Sequence, residues 1–428
     1  MKKFICALIL TISVFHLSSQ TLSTTEQAIV KNIEVSMPAT MQLLKESVNI
    51  NSGTLNTAGV KKVGDVYARE LATMGFTIEW INLPDSLRRA GHMVATRKGN
   101  KGKKLFLIGH LDTVFEPHMP ANPFTQLTDS TATGQGVNDM KGGNTMIIAA
   151  LKALHKQGLL NDLSITIYFT GDEEKPGHPA LVSRADFIAR AKQHDIALCF
   201  ETAQGLNLAC ITRRGNSDWL LDVEARQAHS GGVFGAGGYG AIYEATRIIN
   251  EFREKIGKEQ YLTFNPGLFL GGSEVNYNPE DQAGKVSGKT NIISPKAIVK
   301  GDLRFISKQQ LQKAKDSMRQ IVSRSLPGAK AKISFVDTYP AMPPTPGNEA
   351  LVKKLNELNL ALGYGAVKAV DPSQRGAGDI SFIAEYLDCL DGIGAAGSGA
   401  HAPGEIINLS LYPKLVKRAA LLIYRLTR

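Results

Sequence analysis

The amino-acid sequence predicts an α/β fold: a mostly parallel sheet flanked by helices, interrupted by an inserted ferredoxin-like α+β unit. Three observations carry that expectation. Apolar strand-like runs alternate with helical stretches up to about residue 211. The middle of the chain then reads strand–helix–strand–strand–helix–strand, the split βαββαβ order. After a proline-rich stretch, the first texture resumes.

Taken in order, the chain opens on Met1-Lys2-Lys3, an apolar run Phe4–Phe15 and a polar exit at His16–Gln20. A short basic start, about a dozen apolar residues and a small-residue exit describe a secretory signal, expected over residues 1–19. The run is shorter than the ~20 residues of a membrane span, and no later run reaches that length. The expectation is therefore a protein secreted into a bacterial periplasm, with no stable membrane anchor once the signal is removed.

The first part of the main domain, expected over 20–212, has strand candidates at Gly91–Thr96, Lys104–Gly109, Ser164–Thr170 and Ile196–Glu201. Helices are expected at Thr57–Met74 and Gly143–Gln157; in the second, Ile147, Ala150, Leu151 and Leu154 recur at helical spacing. The inserted unit, expected over 213–340, supplies strands Ser217–Glu224, Leu262–Glu274, Asn291–Phe305 and Ala331–Thr338 and helices Gly240–Ile256 and Lys308–Ser323. Pro340, Pro343, Pro344 and Pro346 mark the return to the main domain. Its second part, 341–428, is expected to hold helices Asn348–Leu362, Asp379–Glu385 and Tyr412–Leu426 and a strand Leu390–Gly394.

Composition excludes several classes. With 428 residues, 43% hydrophobic and 21% charged, the chain is neither collagen-like nor disordered, and at ~100–200 residues per domain it holds two or three. The formal charge of +10 comes from scattered lysines and arginines, with no basic stripe and no nucleic-acid reading motif, so no nucleic-acid partner is expected. Past the signal segment three cysteines remain, Cys199, Cys210 and Cys389, which is no disulfide framework; small buried core residues are the simpler reading.

Chemistry concentrates where apolar runs stop. Leu105–Gly109 is followed by His110-Leu111-Asp112, whose outer pair can share a face in extended chain. A carboxylate there can hold the second ring nitrogen of a metal-bound histidine, although an isolated HxD is a weak signal and by itself favours a satisfied structural histidine. Asn138-Asp139-Met140-Lys141-Gly142-Gly143 places an acid before two glycines at a helix start, as a tight turn into a cleft or as a simple helix-terminal aspartate. Asp172-Glu173-Glu174 follows a buried strand, Glu201 ends another, and His401 stands in the glycine-rich Gly397–Glu405 stretch. Oxygen and imidazole donors without thiolates suit divalent zinc, cobalt or manganese. Two histidines and three carboxylates serve two ions if one carboxylate bridges, which leaves a further acid free as a general base.

The ordered set HxDTV, DxKGG, EE, a lone E and a late H resembles the dinuclear-zinc family of bacterial glutamate carboxypeptidases, aminoacylases, acetylornithine deacetylases and succinyl-diaminopimelate desuccinylases. The likeness spans nearly the whole chain after the signal segment. It implies two divalent metal ions, zinc foremost with cobalt or manganese as alternatives. His110, Asp139 and Glu201 would hold one, and Asp139, Glu174 and His401 the other. It further implies Glu173 as general base, Asp112 as the residue orienting His110, and a cis peptide bond at Asp139–Met140. His229, in Ala228-His229-Ser230-Gly231 of the inserted unit, would stabilise the oxyanion, reaching across a homodimer formed through that unit. Asn291 and Arg304 match substrate contacts, Arg304 as the reader of a free C-terminal carboxylate. Ala225 departs from a glycine common in the family, and His118 and His178 match no ligand position.

The reaction implied is hydrolysis of an amide bond in a small peptide or N-acyl amino acid, releasing a C-terminal amino acid, with glutamate favoured. An N-acyl amino-acid deacylase of the biosynthetic type is the nearest alternative. A non-catalytic periplasmic binding protein is the third reading, opposed by the presence of every ligand and the base.

Overall fold

Strand burial explains the architecture. In the computed structural model, which describes residues 21–279 and 282–428, the segment Leu105–His110 is buried throughout. A strand apolar on both faces needs helices on both sides. Its alternate residues enter different cores: Leu105 and Leu107 join one cluster, Phe106 and Ile108 the other. Each such side chain fully buried contributes about 1.5–3 kcal/mol. The expected signal segment lies outside the described residues.

In chain order the first half comprises α1 (Thr24–Val48), α2 (Thr57–Ala72), β1 (Thr77–Ile81), β2 (His92–Arg97), β3 (Lys101–His110), α3 (Lys141–Lys156), β4 (Leu163–Thr170) and β5 (Ile196–Cys199). The middle adds β6 (Gly215–Ala225), α4 (Ala241–Lys255), β7 (Thr263–Gly272), β8 (Glu274–Asn278), β9 (Ala283–Ser287), β10 (Lys296–Phe305), α5 (Lys308–Val322) and β11 (Ala329–Tyr339). Helix α6 (Pro346–Ala361), β12 (Asp388–Leu390) and α7 (Tyr412–Leu426) close the chain. The main sheet runs β1-β2-β4-β3-β5-β12. Strands β4, β3, β5 and β12 are mutually parallel, while β2 and β1 add an antiparallel edge. The chain thus returns to this sheet only after the middle segment has been completed.

The middle segment has its own sheet, β7-β10-β6-β11, antiparallel at every pairing. Trp219, Leu221 and Val223 alternate inward on β6 and pack with Ala245 and Ile248 of α4 and Met318 and Ile321 of α5. The opposite face carries ion pairs such as Lys300–Asp218 and Arg304–Asp302. One face apolar and one polar is the pattern of a sheet covered by helices on a single side.

Several local expectations are corrected. Residues 379–385 do not form an α-helix; a 3₁₀ turn covers Asp379–Phe382, and its first residue, Asp379, joins a buried ion pair with Arg184. The last sheet strand is Asp388–Leu390 rather than Leu390–Gly394. The expected run Leu262–Glu274 stops at Gly272 and gives way to the β8–β9 hairpin, and β10 starts at Lys296 rather than Asn291. Helix α1 and edge strand β1 are additions to the expected elements. Pro38 interrupts the pattern of the first helix, and β1 is a half-exposed edge with one antiparallel neighbour. The three cysteines are free and buried in the second core.

Candidate metal centre and active site

Parallel register brings the acids and histidines together. His110 ends β3 opposite Thr170 of β4, and Ile108 pairs with Cys199 of β5. Residues just past the three strand ends, Leu111–Asp112, Asp172–Glu174 and Glu201, therefore share one sheet edge, where ligands bind in parallel sheets. Asp139 comes from the turn entering α3. The glycines after it serve close packing rather than a positive φ. A Cβ on Gly143 would lie 2.1 Å from the Phe200 carbonyl oxygen, and one on Gly142 would lie 2.6 Å from that of Val137. The Asp139–Met140 bond is cis.

The ligand atoms form two groups that share Asp139. His110 Nε2 lies 3.2 Å from Asp139 Oδ1 and 3.5 Å from Glu201 Oε1. His401 Nε2 lies 3.2 Å from Asp139 Oδ2 and 3.1 Å from Glu174 Oε2. Within each group the candidate donors all lie within 4.8 Å of one another. His401 reaches in from an exposed loop at a positive φ of 66°, a conformation a non-glycine residue adopts only when its surroundings hold it.

Asp112 meets His110 chiefly through its backbone. His110 Nδ1 donates to the Asp112 backbone carbonyl at 2.9 Å, and the carboxylate is farther away, at 3.5 Å. A carbonyl only accepts, so this bond puts a proton on Nδ1 and directs Nε2, the other ring nitrogen, at Asp139 and Glu201. The Asp112 carboxylate instead accepts from Thr54 Oγ1 at 2.7 Å and from the backbone N–H groups of Glu173 and Glu174 at 3.0 and 3.1 Å. It fixes the turn that presents both glutamates.

The charges are out of balance unless cations are added. Asp139, Glu173, Glu174 and Glu201 crowd around two imidazoles. Burial, followed by the charge of Asp139, pushes Glu201 up to about 7. Burial, followed by the charges of Glu201 and Asp379, holds Glu173 well above the usual carboxylate range. Hydrogen bonds to Asp139 and Glu174 push His401 up to about 11. Glu174 Oε1 is buried with no hydrogen-bond partner. Shared carboxylates, inward Nε2 atoms and an orphaned buried oxygen are a donor set suited to two divalent ions. Glu173 lines the adjoining cleft of about 230 Å³ with Asp139, Glu201, Arg213, Arg375 and His401.

The family model described as peptidase family M20/M25/M40 matches residues 106–425. The chain belongs to that family. As an M20 peptidase it is a metal-dependent hydrolase. It is 28% identical over 394 residues to carboxypeptidase G2 of Pseudomonas sp. (strain RS-16), covering 90% of this chain and 89% of that protein. It is 24% identical over 388 residues to the succinyl-diaminopimelate desuccinylase of Pelagibacter ubique (strain HTCC1062), covering 88% and 95%. The solved structure of aminopeptidase PepT from Bacillus cereus ATCC 10987 shares the M20 fold, with a TM-score of 0.72 at 16% identity, covering 91% of this chain and 98% of that one.

Three expected residues are not part of the cluster. His229 is exposed, and its Nδ1 accepts from the Gly231 N–H at 3.1 Å. Asn291 is its neighbour, since the Ser230 N–H donates to the Asn291 carbonyl at 2.9 Å. Arg304 lies on the polar face of the second sheet, where its Nε donates to Asp302 at 2.8 Å.

Sequence reasoning left Glu405 without a role. Its buried carboxylate accepts from the backbone N–H groups of Asn138 and Asp139, both at 2.7 Å, and of Gly136 at 3.1 Å. This M20 chain therefore holds its shared aspartate through a residue 266 positions away. No local pattern gives that pairing; the only signal was an acid in the same glycine-rich stretch as His401. Replacing Glu405 by alanine strands three buried donors, and charge-assisted bonds are worth about 1.5–3 kcal/mol each. Glu405→Ala is expected to lose about 3 kcal/mol or more in urea denaturation, and an unchanged midpoint would refute this role.

Proposed function

We propose that the protein is a secreted dinuclear-metal carboxypeptidase-like amidohydrolase that releases a C-terminal amino acid, glutamate foremost, from a small peptide or N-acyl amino acid. His110, Asp139 and Glu201 would hold one divalent ion and Asp139, Glu174 and His401 the second, zinc foremost. The observation that carries the reading is the pair of donor groups sharing Asp139 beside the Glu173 carboxylate, in one cleft. Bound there, such ions polarise a carbonyl and make water acidic enough to attack at neutral pH.

The chain's own residues supply the rest. Glu173 takes the proton of the attacking water and returns it to the departing nitrogen. The Asp112 carboxylate keeps the Glu173 backbone in place, and the Tyr339 hydroxyl, donating to the Glu173 carbonyl at 3.1 Å, braces it from the end of β11. The segment 213–340 would act as a lid and dimerisation unit. Closure, or a partner copy, would bring His229 to the oxyanion and Asn291 and Arg304 to the substrate. Secretion rests on the pattern of residues 1–19; no helix of the described residues is long and apolar enough to cross a membrane.

N-acyl amino-acid deacylation is the second reading, favoured by the desuccinylase relatives. A hydrolysis screen separates the two. Dipeptide and folate-type C-terminal glutamates are set against acetylornithine and succinyl-diaminopimelate, each with zinc, cobalt and manganese. Turnover of the glutamate compounds is expected; turnover confined to the deacylase substrates would overturn the leading reading. Asp139→Ala is expected to lose both ions by elemental analysis of the purified protein, whereas retention of a full pair would refute the shared ligand.

A further inference from the structure

The cleft beside the donor groups is not uniformly acidic. On the Glu201 side, two arginines line it, neither of them assigned a role above. Arg213 is 5% exposed; its Nε is paired with Asp391, and its Nη1 donates to the carbonyls of Ala377 at 3.0 Å and Gly376 at 3.3 Å. Its Nη2 has no hydrogen-bond partner and stands 3.9 Å from Glu201 Oε2. Arg375 directly precedes the two residues that Arg213 holds. Its Nη1 donates to Thr202 Oγ1 at 3.3 Å, while its Nε is left without a partner. A guanidinium held at one nitrogen keeps the rest of its donor fork for a planar anion.

Leaving buried guanidinium donors unpaired is costly, and a site that does so is complete only when an acceptor arrives. Glu201 does not fill the need: its Oε1 faces His110, and its Oε2 lies beyond hydrogen-bond distance of Arg213. Arg304, the residue expected to read a carboxylate, is engaged by Asp302 on the other sheet. We propose that Arg375, backed by the buried charge of Arg213, forms a carboxylate subsite beside Glu201, and that Arg375 binds one carboxylate of an acidic amino-acid portion of the substrate. This rests on the hydrolase reading above and deepens it by naming the group the cleft selects. The carboxylate has two sources in such a residue, the α-carboxyl and the side chain, and the two are separable by experiment.

The test is binding, with turnover read separately. The metal-loaded full-length protein and its Arg375→Gln variant are titrated calorimetrically with L-glutamate, L-glutamine and the α-amide of glutamate. Wild-type protein is expected to bind L-glutamate at least tenfold more tightly than the one amide that lacks the recognised carboxylate. Arg375→Gln is expected to abolish that preference, leaving binding of this amide within about twofold, and Arg375→Lys to restore part of it. Loss of preference against glutamine identifies the side-chain carboxylate; loss against the α-amide identifies the α-carboxylate. Equal weakening of all three probes, an unchanged preference, or no binding of L-glutamate to the wild type overturns the subsite. Failure to hydrolyse any glutamate amide, with the Arg375-dependent preference intact, would defeat the proposed reaction while the subsite stands.

Discussion

Glu173→Gln is expected to lower kcat by about a thousandfold, within the 10²–10⁴ range of a positioned general acid–base. Its carboxylate accepts no hydrogen bond from the described residues and faces the cleft, so the substitution removes the proton carrier without breaking a structural contact. The turn is held through backbone, by Asp112 on the Glu173 N–H and Tyr339 on the carbonyl. Metal content and the unfolding midpoint should therefore match the parent. Steady-state kinetics with elemental analysis decides the matter: near-normal kcat in a fully loaded variant would exclude Glu173 as the base.

The second large effect concerns stability. Arg184 is fully buried between two carboxylates: its Nη1 donates to Asp172 Oδ1 at 2.5 Å, its Nε to Asp379 Oδ1 at 2.7 Å, and its Nη2 to the Asp172 carbonyl at 3.2 Å. Asp379 also accepts from Thr170 at the end of β4. The cluster ties the turn carrying Glu173 to the last quarter of the chain. Removing one partner of a buried pair leaves uncompensated charge and costs about 3–5 kcal/mol. Arg184→Met is expected to lose that much by urea denaturation at neutral pH, and to recover part of it when Asp172→Asn is added. A loss below about 1 kcal/mol would refute the stabilising role of this buried cluster.

These two residues also mark what could be read from sequence. Glu173 was legible because an acid pair directly follows the apolar run Ile165–Phe169, and a strand end is where chemistry is placed in a parallel sheet. Arg184 was not, since it sits within an ordinary amphipathic stretch and its partners are 12 and 195 positions away. The same contrast holds for the fold. Strands apolar on both faces, such as β3, announced themselves, whereas α1 was hidden by Pro38 despite the Ser23–Glu26 capping box at its start. The β8–β9 hairpin falls between the expected strands Leu262–Glu274 and Asn291–Phe305 and goes unexpected, because its two strands are short and largely exposed and so carry no buried apolar run.

The sequence by itself determined the alternating α/β architecture, the family and the order of the candidate metal-binding residues. Those depend on local periodicity and on short motifs, which a linear reading contains. Only the tertiary structure decided which atoms do the holding: the Asp112 carbonyl on His110, Glu405 beneath Asp139, Arg184 behind Glu173, and Arg213 with Arg375 at the cleft wall. The reason is physical. Buried charges and backbone donors take their partners from whatever segment packs beside them, and the parallel sheet, not the distance along the chain, sets which segments those are.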